Sequence, residues 1–196
     1  MLQPGKTFVF ATTSKGKLDE VSRGLSSLGV TIRGLQDFAT LGEPPTVIEA
    51  GATYEEIACD KARRYAQWLG CACLADDTGL ELGILGGLPG KYTARFGLER
   101  LRHAVEHAVG HTPVIDARFV CCMAYAEPSG RTVAVTCSID GDLTALKVAC
   151  TLEGPLPYAR IFVPRGEIRP LSELTLSGDF LSHRVRAVRT LLSVLR

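Results

Sequence analysis

Near the start, a strand-like run passes straight into a helical pattern, and that succession constrains the fold more than any other feature. KTFVFAT is a short β-branched and aromatic run. The TTSKGKLDEVSRGLSSLG segment then sets Leu18, Val21, Leu25 and Leu28 at helical spacing and stops at Gly29. A strand followed directly by a helix opens an α/β unit. The unit needs a neighbouring strand, and VTIRGL is the candidate.

Later segments extend the pattern. GEPPTVIEAGATYEEIACDKARRYAQWLG begins as a proline-rich loop and becomes a helix from Thr53. Thr53 and Glu56 have capping-box spacing, and Ile57, Lys61, Arg64 and Trp68 carry the helix to Gly70. CACLADD reads as the next strand and ERLRHAVEHAVGH as another helix. DARFVCCMAYAE and RTVAVTCSIDGDL flank a PSG turn, so they form an antiparallel pair and the sheet is mixed. After Gly141 the pattern blurs among prolines. The tail ends as a basic amphipathic helix with Val185, Val188, Leu191 and Leu192 on one side. Without repeats, low-complexity segments or linkers, residues 1–196 read as a single α/β domain.

Charge narrows the function classes. The 22 basic and 21 acidic residues give a net charge of +1, which offers no general attraction to nucleic-acid polymers or acidic membranes. The apolar run FVFA is too short for a signal peptide, and no stretch reaches the roughly 18 apolar residues of a membrane span. The expectation is a soluble, cytoplasmic protein. The seven cysteines, an odd number set mostly in apolar runs, read as reduced thiols.

Three clusters carry possible chemistry. Ser14-Lys15-Gly16-Lys17 lies at a strand-to-helix turn, where backbone N–H groups and a lysine can hold an anion. It lacks the P-loop pattern, and taken alone it reads better as a solvated helix start. Glu49 precedes the helix that bears Glu55, Glu56 and Lys61; the first-turn glutamates suit the helix dipole, while Glu49 is placed to enter a cleft. The third cluster is CLADDTGLELGILGGLPG, where a strand-like run meets Asp76 and Asp77. It reads either as a charged turn or as a site for a hard cation such as Mg2+, which needs one or two carboxylates plus substrate phosphates. Adjacent strand residues point to opposite faces, so one aspartate faces the cleft and the other accepts backbone or lysine hydrogen bonds. The glycines suggest a tight turn beside the phosphates. His103, His107 and His111 recur every four residues, but without a glutamate in the HExxH position they read as a solvated helix face.

These clusters together resemble the inosine triphosphate pyrophosphatase, or non-canonical purine nucleoside triphosphate pyrophosphatase, family. FVFATTSKGKLDEV is similar to its ATxNxxKxxE turn, IEAGATYEEIACDKA to its ETGxTFEENAxxKA segment, and LADDTGLELGILGGLPGKYTARF to its ADDSGLxVxxLxGxPGxYSARY block. DARFVCCMAYAEPSG resembles its hairpin and LSHRVRAV its SHRxxAL helix. The resemblance implies an elongated, two-lobed α/β fold with a mixed, twisted sheet flanked by helices and a nucleotide cleft between the lobes. It also implies a homodimer and Mg2+-dependent hydrolysis of ITP-, dITP- or XTP-like triphosphates to monophosphate and pyrophosphate. By position, Glu49 and Asp77 would bind metal, and Asp77 would be the general base. Ser14, Lys17 and Lys61 would contact phosphates. Asp76, Thr78, Tyr158, His183 and Arg184 would line the substrate site, with His183 and Arg184 at the base.

Departures from the family pattern concentrate in that substrate site. Ser14 and Ile57 stand where the family has asparagines. If Tyr158 matches the tyrosine of GFGYDP, Leu156 replaces its phenylalanine and Ala159 its aspartate. KVACTLEG has no clear PRG counterpart, and Gly178 and Asp179 lie near where a lysine would precede SHR. The hydrolytic set is present while the recognition set is rebuilt. A shifted-specificity pyrophosphatase and a weakly catalytic nucleotide-binding relative therefore both remain open. A helical metal module around His103 and His107 is the poorest alternative.

Overall fold

The computed structural model describes residues 5–109, 114–144 and 156–195. Strand β1 (Thr7–Phe10) leads into helix α1 (Lys15–Ser26), as the sequence pattern requires, and β2 (Thr31–Gly34) pairs parallel to β1. Helix α2 (Tyr54–Leu69) precedes β3 (Cys73–Leu82), whose first residues pair parallel to β1. Next come β4 (Pro89–Gly90), α3 (Thr93–Phe96), α4 (Leu98–Val109), β5 (Val114–Ala126) and β6 (Thr132–Thr144). The chain finishes with β7 (Phe162–Pro164), α5 (Leu171–Ser177) and α6 (His183–Val194). The sheet order is β2-β1-β3-β5-β6-β7, with β4 on β3. Parallel β1 pairs and antiparallel β3–β4 and β6–β7 pairs make it mixed. The fold is α/β, as expected.

Two compact units share the chain. The first comprises residues 1–77, 121–137 and 184–196, and the second comprises residues 78–120 and 138–183. In the first unit, strand alternation builds two cores. Val9, Cys73, Ala75 and Cys122 turn to one face, where Ala58, Ala62 and Ala66 of α2 cover them. Phe10, Leu74, Cys121 and Met123 turn to the other, beneath Val21 and Leu25 of α1 and Val188 and Leu191 of α6. Helices α1 and α6 approach closely because Gly24 faces Val185: a Cβ on Gly24 would lie 2.6 Å from both valine methyl carbons. Arg189 adds a clamp, its guanidinium donating to the Gly24 carbonyl at 2.6 and 3.0 Å.

The second unit has its own core, with Leu80, Leu82, Leu101, Phe119 and Phe162 at its centre. The Phe119 and Phe162 rings meet edge to face at 4.8 Å. Thr93 stitches this unit together, its hydroxyl accepting from the Leu80 N–H and donating to the Gly90 carbonyl.

Two sequence expectations change here. β3 does not stop at Asp76 and Asp77 but runs on to Leu82, because Leu80 and Leu82 continue the apolar alternation into the second core. The strand that ends near the aspartates is β1: its last pair is Phe10 with Leu74, and the following Ala11 N–H donates to the Leu74 carbonyl. The tight turn expected of the glycines after β3 is present. Gly86 and Gly87, with φ of 61° and 92°, bring the chain back so that Pro89 and Gly90 pair with Glu81 and Leu80. At the start of α2, the Thr53 hydroxyl accepts from the Glu56 N–H, but the Glu56 carboxylate reaches the Ala52 N–H, one residue earlier than a capping box predicts.

Candidate active site

β3 carries Asp76 and Asp77 just beyond the end of β1. Asp76 shares the parity of Leu74 and faces α1 and α6, whereas Asp77 shares that of Cys73 and Ala75 and faces α2. Two neighbouring carboxylates therefore enter different surroundings.

On the α1–α6 side, Ser14 caps α1: its hydroxyl accepts from the Lys17 N–H at 3.4 Å. Lys17, in the first turn, donates its ammonium to both Asp76 oxygens at 3.2 and 2.9 Å. The Arg184 guanidinium donates through Nε to Asp76 Oδ2 at 3.1 Å and through Nη1 to Glu20 Oε2. Arg184 and Asp76 are each 2% exposed and Glu20 is 6% exposed. Burial works against the Arg184 charge, but Glu20 and Asp76 more than offset it and push its pKa up. Arg184, Asp76 and Glu20 thus meet in a desolvated cluster, with the half-buried Lys17 ammonium at its edge.

On the α2 side, Lys61 donates to Glu49 Oε1 at 3.0 Å. Burial lowers the Lys61 pKa, and the Asp76, Glu49 and Asp77 carboxylates outweigh it, so the ammonium is held above its usual value. Asp77 is 4% exposed, and its Oδ2 has no hydrogen-bond partner among the described residues. Its pKa is pushed up to about 6: burial dominates, Lys61 and Lys17 pull it down, and Glu49 and Asp76 push it up.

A buried carboxylate oxygen without a donor, in a neighbourhood that holds a second carboxylate, is chemically suited to a hard cation. Such an ion takes oxygen ligands and commonly needs only one or two from protein. Glu49 and Asp77 are the donors that fit. The same pair, with Lys61, can hold a water and take its proton.

The first unit thus contains Ser14, Lys17, Glu49, Lys61, Asp76, Asp77 and Arg184. Thr78, Tyr158 and His183 belong to the second. Thr78 is half-buried on β3. Tyr158 lies in a short 3-10 turn, Pro157–Arg160, half-buried against Leu171's core, and burial raises its pKa. His183 is buried and stacks on Phe119, with ring centroids 4.7 Å apart and planes 4° from parallel.

Of the substituted positions, Ile57 is 2% exposed, packed where a Gly51 Cβ would come within 2.9 Å of its Cγ1. Leu156 and Ala159 are half-buried, and KVACTLEG lies outside the described residues. His103 and His107 are exposed on α4, with His103 3.8 Å from Glu106; His111 is also outside the described residues. Sequence reasoning gave no role to Glu20. Its signal was its match to the closing glutamate of the ATxNxxKxxE pattern, three residues after Lys17.

A mixed α/β sheet with carboxylates and lysines gathered past one strand end places the chain among α/β proteins that hold ligands beyond their strand ends. The model of the Ham1 family matches residues 8–194, and the chain belongs to that family. A relative from Deinococcus deserti named dITP/XTP pyrophosphatase is 38% identical, over 95% of this chain and 88% of its own. The structure of a HAM1 protein from Coxiella burnetii superposes with a TM-score of 0.73 at 26% identity, covering 97% of this chain and 98% of its own. The crystal structure of a nucleoside-triphosphatase, dITP/XTP pyrophosphatase, from Mycobacterium abscessus gives a TM-score of 0.65 at 33% identity, covering 97% of this chain and all of its own.

Proposed function

We propose that this protein is a pyrophosphatase of non-canonical purine nucleoside triphosphates, cleaving the α–β phosphoanhydride to yield the monophosphate and pyrophosphate. The observation that carries the reading is Asp77: a buried carboxylate with one oxygen lacking a hydrogen-bond donor among the described residues, held near the Lys61–Glu49 pair. With a pKa pushed to about 6, Asp77 is ionised at neutral pH yet basic enough to accept a water proton at its carboxylate. Lys61 and Lys17 would offset the charge on the phosphate oxygens as the bond to the leaving pyrophosphate breaks. Ser14 presents the N-terminal N–H groups of α1 to the same anion. Glu49 and Asp77 are the residues that would hold Mg2+, which when bound supplies charge neutralisation and water activation. Thr78, Tyr158, His183 and Arg184 are proposed to settle which nucleotide is accepted, with Asp76 fixing the lysine and arginine around it. The working form is proposed to be a cytoplasmic homodimer in which residues 1–196 act as one domain, free of nucleic-acid polymers. Among the described residues no helix is long and apolar enough to cross a membrane.

Pyrophosphate release measured across ITP, dITP, XTP and the standard triphosphates, with and without Mg2+, tests the reading. Turnover is expected with at least one of them and is expected to vanish in Asp77→Asn. Undiminished turnover in that variant would sink the mechanism. Ile57 favours a second reading, because a buried aliphatic side chain stands where the family has an amide. Calorimetric nucleotide binding without turnover would select that weakly catalytic, nucleotide-binding relative instead.

A further inference from the structure

Glu20 is buried and acidic, and the proposed hydrolysis has no direct use for it. Its carboxylate accepts from Arg184 Nη1, while Arg184 Nε donates to Asp76 Oδ2, the same oxygen that Lys17 contacts at 2.9 Å. Asp76 therefore serves two cations at once. That sharing is stable only while a second carboxylate takes part of the guanidinium. An arginine fork matches a carboxylate in a bidentate way, which a single ammonium does not. Without Glu20, Arg184 would compete for both Asp76 oxygens, and Lys17 would be displaced.

We propose that Glu20 is a positioning residue: by holding the far side of the Arg184 guanidinium it leaves Asp76 free to fix the Lys17 ammonium at the start of α1. This rests on the reading of Lys17 as a phosphate contact. Glu20 acts through Arg184, Asp76 and Lys17 in turn. Deleting Glu20 or Arg184 alone takes away the partner of the other's buried charge, whereas deleting both together leaves the net charge of the cluster unchanged.

A double-mutant cycle with two readouts tests the proposal. Glu20→Gln, Arg184→Gln and the double variant are treated with an acetylating succinimide ester, and peptide mass spectrometry compares Lys17 with the exposed Lys15 of the same peptide region. In parallel, kcat and KM for pyrophosphate release are measured. Glu20→Gln is expected to raise the Lys17-to-Lys15 labelling ratio roughly 3-fold or more and to lower kcat about 10-fold, with KM changing less. In the Arg184→Gln background the guanidinium that competes with Lys17 for Asp76 is gone, so adding Glu20→Gln should change neither quantity. A labelling ratio unmoved by Glu20→Gln, or moved equally in both backgrounds, overturns the proposal. Should Glu20→Gln fail to fold, the double variant is compared with Arg184→Gln alone, and a difference in Lys17 labelling between them is equally fatal. Should the wild type release no pyrophosphate, the functional reading falls, and the labelling cycle still decides the role of Glu20.

Discussion

Replacing Asp77 by asparagine should make the folded protein more stable while removing its turnover. The folded-state pKa of about 6, against an ordinary 3.8, means the native state holds a proton that the unfolded chain has already released over that window. Folding is therefore favoured by this group below pH 3.8, and that contribution is lost as pH rises through 6. A gap of about 2 pH units corresponds to about 3 kcal/mol of penalty once the carboxylate is ionised. Because Asp77 is 4% exposed, solvent screening does little to reduce it. Asparagine keeps the shape and never charges, so it escapes the penalty. In urea unfolding with EDTA present, the variant should exceed wild type by about 3 kcal/mol at pH 8, less at pH 5, and by almost nothing at pH 3.5. The thermal midpoint at pH 8 should rise by roughly 6–12 °C for a chain of this size. Loss of the base should lower pyrophosphate release by about 100-fold or more. A variant no more stable than wild type at pH 8, or a difference unchanged by acidification, would refute the argument that burial of the charge dominates this site.

Three further substitutions probe packing and specificity. Gly24→Ala should destabilise by about 1–3 kcal/mol, since its Cβ would sit 2.6 Å from the Val185 methyls, and Val185→Ala in the same chain should return part of the loss in urea titration. Gly141→Ala should be worse and without a side-chain rescue, because its Cβ would meet the Val163 carbonyl oxygen at 2.3 Å; thermal unfolding at no lower temperature than wild type would contradict this. Ile57→Asn should lower stability by about 3 kcal/mol through lost burial while raising pyrophosphate release, and a variant that loses both would deny the missing amide any part in turnover.

Most of the first unit was legible because its signals are local. The passage from β1 into α1, the Thr53 cap and the apolar face of α6 all follow from spacing within a few residues. The differing roles of Asp76 and Asp77 follow from strand alternation. The Glu20–Arg184 contact was illegible for the opposite reason: its partners lie 164 positions apart, and no local pattern couples them. The length of β3 was misread because Asp-Asp followed by Thr-Gly imitates a turn. Only tertiary burial of Leu80 and Leu82 overrides that local preference. The helical spacing of His103 and His107 was equally plain but concerns an exposed face.

The alternation of β3 also has a consequence for how this sequence can vary. Inserting or deleting one residue upstream in the strand would exchange the surroundings of the two aspartates, sending the first toward Lys61 and the second toward Arg184. The residue types would be unchanged, yet the carboxylate that now lacks a donor would gain two cations, and its neighbour would lose both. Substitutions around the site can be explored one at a time, but a length change within Cys73–Asp77 is a change of wiring. Related chains should therefore differ in length in the loops and keep this short run fixed.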